Sequence, residues 1–285
     1  MVTMTPEELI GDNLKLVSLP AIVIKINQLL NDPNSTAADI ARYISQDTVL
    51  TARLLKLVNS PFYNFPSKVE TISMAVTILG TRQLRDLVIA TTVVTHFKPD
   101  PDVDFDIEKF WCHSISTGIA ARVIALARKI PNSERLFISG LLHDIGKMIM
   151  SLLLPRETIS MIKANDTSSV KSENIERQIF GFTHDELALA LLESWHFPES
   201  ISIPVAHHHD LNTNDEFKKD AAVLHIANVI ANNIQAPISR DDDTILKQEA
   251  LDVLGLDQAT VDSYYEQVYE LLDDVLQLLY YDMAA

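Results

Sequence analysis

A chain of 285 residues, 47% apolar and 22% charged with only seven glycines, has material for a substantial core and excludes disordered, fibrous and turn-rich β classes. Its one cysteine, Cys112, cannot form an intrachain disulfide, so a reducing cytoplasm is the expected compartment. The net charge of −16 is uneven: residues 1–98 carry nine Lys/Arg against eight Asp/Glu, and residues 99–285 carry fourteen against thirty-one. Such acidity repels phosphate backbones and anionic membranes, which disfavours nucleic acid and points to protein or small-molecule partners.

The opening MVTMTPEELIGDNLKL lacks a basic start ahead of an apolar stretch, and no later run of ~18 uncharged apolar residues is expected to span a membrane. Apolar residues then recur at helical spacing: Leu19, Ile22, Val23, Ile26, Leu29 and Leu30, followed by Leu50, Leu54, Leu57 and Val58. Thr36 before AADIARYIS and Asp47 before TVLTARLLKLVN are helix-start signals, and Ser60-Pro61 closes the second run. These residues predict an N-terminal lobe of short helices over 1–98. The prolines and acidic run of HFKPDPDVDFDIEKF predict a linker at 99–108.

Beyond the linker, six segments carry a helical apolar stripe and predict a bundle over 109–285. The last helix, from Asp257 to Tyr281, places Val261, Tyr264, Val268, Leu272 and Val275 on one face, where it would close the bundle. The fold class is therefore all-α and two-lobed.

Eight of the nine histidines fall in the second lobe. His143-Asp144, inside GLLHDIGK, is the strongest local signal, because imidazoles with a carboxylate are a usual means of holding a divalent cation. Adjacent helical residues point about 100° apart, so both serve one site only at a helix end or bend, for which Gly146 is a candidate. Lys147, one turn after His143, is placed to contact a phosphate.

Bland readings compete. His113 alone on its helix face reads as a core residue, and His184 follows Thr183, a helix-start position. His207, His208 and His209 sit where imidazoles favour a helix C-terminus, and at most two of the three can face one centre. His196, before a proline, reads as structural. His225 and Asn228 share a helix side, with an amide where a carboxylate would serve a cation better. Cys112 reads as core. Phosphate loops and GxSxG elbows are absent from the sequence.

The run LPAIVIKINQLLNDPNSTAADIARYISQDTVLTARLLKLVNSPFY with AVTILGTRQLRDLVIA resembles the start of an HDOD domain. The resemblance continues through WCHSIS, LFISGLLHDIGKMI, GFTHDELALALLESWHFPESI and VAHHHD, covering about residues 14–215. HDOD domains are helical relatives of the HD and HD-GYP phosphohydrolases, usually found in bacterial signalling proteins. The resemblance implies metal positions at His113, His143 and Asp144, with His184 and His207 or His208 as additional ligands. It departs at Asn228, where the superfamily commonly has an aspartate, and in HHHDLNTNDEF, which lacks the HHExxDGxGYP loop.

The expectation is a regulatory module that binds a signalling protein or small ligand and keeps part of a site for Mn, Fe, Zn or Mg. The alternative is a metal-dependent phosphohydrolase using Asp144 and Lys147. Nucleic-acid binding through ADIARYISQ and VLTARLLKLV, which superficially suggest a helix-turn-helix, is disfavoured by the charge count.

Overall fold

The computed structural model describes residues 4–167, 172–235 and 245–281, and among these the regular elements are all helices. They divide into two compact units, one of residues 4–18 with 97–268 and the other of 19–96 with 269–281.

The smaller unit holds α2 (Ala21–Asn31), α3 (Ala37–Ile44), α4 (Thr48–Val58), α5 (Ile72–Leu79) and α6 (Thr81–His96), of which α3 and α4 start where Thr36 and Asp47 place them. Thr36 and Asp39 form a reciprocal capping box, the Asp47 carboxylate accepts from Leu50 N at 2.9 Å, and Thr71 accepts from Met74 N at 3.1 Å. The predicted stripes point inward, with Val23, Ile26, Leu54, Leu57 and Val58 fully buried. Asn59 clips the following loop to its helix by pairing with both backbone groups of Val69 at 2.7 and 2.8 Å.

Two chain segments depart from the expected division at 98. The helix α1 (Pro6–Asp12) packs on α12 (His184–Ser194) through Leu9 and Ile10, which joins it to the larger unit. Residues 269–281, the end of α16 (Gln258–Leu276) with the π-helical turn Gln277–Tyr281, group with the smaller unit because that turn packs on α4 and α6.

The larger unit is built on α7 (Ile107–Ala127), α8 (Ser133–Leu142) and α14 (Asp215–Gln235), with α9 (Ile145–Leu153), α10 (Pro155–Thr167), α11 (Ser172–Phe180), α13 (Glu199–Ala206) and α15 (Gln248–Leu254) around them. By length and composition α7 and the stretch Ser133–Leu153 would each suit a membrane span, contrary to the expectation above. Both are mostly buried inside the protein, as core helices apolar on all sides are. The small residues Gly118 and Gly140 let α7 and α8 cross closely: a Cβ on Gly140 would lie 2.8 Å from the Gly118 Cα and the Thr117 carbonyl. That approach brings His113, on α7, against His143 at the end of α8.

Candidate metal centre

The chain leaves helical geometry where the sequence requires it. α8 ends at Leu142, His143 is its C-cap, and Asp144 is the N-cap of α9, with φ −100° and ψ 9°. Both side chains therefore turn toward the same space. Gly146 does not make the bend; it allows a close approach, since a Cβ there would lie 1.9 Å from the carbonyl oxygen of His184. The N-terminus of α12 thus rests on the first turn of α9 and delivers His184 to Asp144.

Around Asp144 the imidazoles form two groups. On one side are His113 and His143, with Nε2 atoms 3.2 Å apart and 3.7 and 3.4 Å from Asp144 Oδ2. On the other, His184 Nε2 lies 3.2 Å from Asp144 Oδ1 and 3.1 Å from His209 Nε2. The His208 ring sits between, with its centroid 5.0 Å from that of His143 and 5.8 Å from that of His184. The donor atoms of Asp144, His184, His208 and His209 all lie within 4.8 Å of one another, as do those of His113, His143 and Asp144.

The outer nitrogens decide where the lone pairs point. His143 Nδ1 donates to the Gly140 carbonyl at 2.7 Å, and His208 Nδ1 donates to the Val205 carbonyl at 2.7 Å. His184 Nδ1 meets the Glu176 carboxylate at 2.8 and 3.0 Å, and the same carboxylate accepts from His184 N at 2.8 Å. Carbonyls and carboxylates only accept, so each Nδ1 holds a proton and each Nε2 is left facing inward. This is the arrangement by which an outer partner fixes the tautomer of a metal-binding histidine. Two inward atoms are short of partners: His208 Nε2 has no hydrogen bond, and Asp144 Oδ1 has the contact with His184 Nε2 at 3.2 Å, which holds only while that ring keeps its proton. Such donors of electron pairs fit a cation, which would remove their desolvation cost.

Electrostatics agree with that fit. Burial pushes His143 down to about 3, and burial with the neighbouring His209 holds His208 well below the usual imidazole range, so both rings are neutral and able to donate a lone pair. Burial opposes the charge on Asp144, but His143, Lys147 and His184 together keep its carboxyl well below the usual range. His184 is pushed the other way: burial lowers it, and the Glu176 carboxylate outweighs that and raises it well above the ordinary value. In the protein without a cation, His184 is an imidazolium between two carboxylates, and a metal ion would take the place of its proton.

The structure places the residues singled out in the sequence as follows. His113, His143, Asp144, His184 and His208 converge. Lys147 lies beside them, with Nζ 2.9 Å from Asp144 Oδ2. His207 does not converge: at the end of α13 it turns outward and pairs with Asp210 at 3.1 Å, while His209 takes the inner position. The reason is that 207–210 form an irregular turn rather than a continuation of α13, so the two consecutive residues 208 and 209 face one side. Asn228 is buried, and its Oδ1 accepts from Asn232 at 3.1 Å. Glu176 was missed by the sequence reading; its signal was a lone carboxylate on the apolar face of α11 together with Phe180, eight residues before His184.

Comparison with known proteins matches the HDOD domain over residues 16–211, more than half of the sequence. The chain belongs to the HDOD family. A protein of Shewanella amazonensis SB2B, provisionally described as a phosphohydrolase, has a similar structure with TM-score 0.74 and 25% identity, covering 97% of this chain and 98% of that one. A Marinobacter aquaeolei VT8 protein, provisionally described as acting in signal transduction, shares the fold with TM-score 0.72 and 21% identity, over 97% of this chain and 61% of that one. An uncharacterized Treponema pallidum protein is 26% identical over 215 residues, 74% of this chain. The match spans 41% of that relative's length.

Proposed function

We propose that this HDOD protein is a cytoplasmic signalling module that holds a divalent cation at the Asp144 centre and acts by binding a signalling protein or small ligand. The observation that carries the reading is the set of three histidines, His143, His184 and His208, whose Nδ1 protons are tied outward while their Nε2 atoms face Asp144. A donor set of imidazoles with one carboxylate favours Fe or Zn over the harder Mg. Two features support binding over turnover: Asn228 is engaged with Asn232 instead of supplying a second anionic ligand, and the sequence after His209 lacks the HD-GYP substrate loop.

One observation favours the second reading, a metal-dependent phosphohydrolase. Lys147 is a quarter exposed beside Asp144, on the flank where a phosphate would meet an ammonium group. A bound cation would supply there a coordinated water with a pKa lowered toward about 7. In that reading Lys147 binds the phosphate, while Glu176 orients His184 and Asp144 helps hold the cation.

Elemental analysis of untagged protein, paired with hydrolysis of phosphomono- and phosphodiesters, separates the two. The expected result is a stoichiometric transition metal, lost in His143→Ala, with no hydrolysis above that variant. Failure to take up any cation after reconstitution removes the site, and turnover abolished by His143→Ala establishes the phosphohydrolase instead.

A further inference from the structure

The least regular part of the cluster is gripped from outside by two side chains that the cation reading does not use. His208 and His209 belong to the turn at 207–210, whose carbonyls lack the support of a continuing helix. The His208 carbonyl accepts from His225 Nδ1 at 3.1 Å, across from α14. That bond leaves His225 Nε2 as an acceptor, and it takes the backbone N–H of Lys247 at 3.2 Å. Lys247, the N-cap residue of α15, also sends its ammonium group to the His209 carbonyl. Three linked contacts therefore tie two successive carbonyls of the histidine turn to α14 and the start of α15.

We propose that Lys247 and His225 are positioning residues of the cation site, which set the backbone of the turn so that the Nε2 atoms of His208 and His209 stay aimed at Asp144. This rests on the cation reading of the cluster. His225 is 3% exposed and bonded at both ring nitrogens by the backbone, so it is a rigid spacer and not itself a ligand. The ammonium of Lys247 carries a positive charge toward a site for a cation. By charge alone its removal would strengthen binding, whereas positioning predicts that removal weakens it. The two effects have opposite signs, which makes the role measurable.

The test uses the untagged full chain and Zn²⁺, with affinity read by competition against a chelator. Lys247→Met is expected to weaken binding about 10- to 100-fold, the range for loss of an outer partner of metal ligands, with little change in the unfolding midpoint of the metal-free protein. Lys247→Arg keeps a donor and is expected to restore most of the affinity. Binding by Lys247→Met as tight as wild type, or tighter, overturns the proposal. If wild type binds no Zn²⁺, the cation reading has failed, and positioning is then read on chelator-treated protein by NMR of the histidine rings. Shifted His208 and His209 signals in Lys247→Met, with His96 unmoved, support it; unmoved His208 and His209 signals overturn it.

Discussion

The two units of the chain differ in how their interiors treat polar groups. In residues 19–96 the core is mostly aliphatic, and the buried polar residues Ser60, Thr91 and Asp86 are satisfied locally: Ser60 and Thr91 donate to carbonyls one turn back, and Asp86 pairs with Arg85. In residues 97–268, buried ionisable groups pair over long sequence distances. Arg122 meets Glu134 at 2.9 Å, Arg135 meets Asp220 at 2.6 Å, and Glu176 meets His184 at 2.8 Å. Among the described residues, Asn27 Oδ1 is the unpartnered buried side-chain atom of the smaller unit, whereas in the larger unit His208 Nε2 stays unpartnered inside a cluster of imidazoles around Asp144. Trp111 Nε1 and Ser114 Oγ are orphaned singly, so it is the grouping of His208 Nε2 with the other inward-facing imidazole nitrogens and the Asp144 carboxylate that fits a cation.

The sharpest way to break that contrast is at a glycine. Gly146→Ala forces a methyl to 1.9 Å from the His184 carbonyl, so α9 and α12 must separate; a loss of about 3 kcal/mol or more, with loss of cation uptake, is expected by denaturant unfolding and metal analysis. Gly11→Ala, in α1 with open space around the new methyl, is expected to gain about 0.5–1 kcal/mol. Equal effects at the two glycines would refute the close-approach argument.

The next effect is on pH dependence. Burial, reinforced by the charge of Lys247, lowers His225 to about 4, whereas the unfolded side chain titrates near 6.5; the His208 carbonyl opposes and His209 adds to the lowering. Below 6.5 the unfolded chain takes up the proton first, so stability present above that pH is lost as pH falls toward 4 and levels off below it. The full shift corresponds to about 3 kcal/mol, an upper bound. In metal-free protein the stability difference between pH 7 and 4.5 is expected to shrink in His225→Gln. An unchanged difference would mean that the ring is protonated in the fold.

A smaller effect is expected from Glu176→Gln. The amide preserves shape but gives up the charge that holds the Nδ1 proton on His184, so Zn²⁺ affinity is expected to fall about 10- to 100-fold, measured by chelator competition. A variant that binds as wild type would leave Glu176 a packing residue.

Much of the smaller unit was legible because its determinants are local. Thr36, Asp47 and the stripes at Val23, Ile26, Leu54 and Leu57 act within one or two turns, and periodicity reads such distances directly. His143 and Asp144 were legible for a similar reason, since a polar doublet inside an apolar run has to be either capped or liganded. The choice of His209 over His207 was not legible, because it depends on the turn that follows α13. Glu176 and Lys247 were hidden further, as their partners lie eight and thirty-eight residues away, and only the packing of α11, α14 and α15 makes them neighbours.

The smallest effect tests the other side of the contrast. The exposed Asp47 accepts from Leu50 N at 2.9 Å and places a negative charge at the start of α4, so Asp47→Ala removes both a cap and a favourable charge–dipole interaction. The expected loss is about 1 kcal/mol, and Asp47→Asn, which keeps the acceptor, should recover most of it. Because this cap serves only the local start of a helix, Zn²⁺ affinity is expected to match wild type in both variants. A fall in affinity alongside the loss of stability would show that the aliphatic unit also supports the histidine centre, and that the division of labour between the two cores is not as clean as their polar groups indicate.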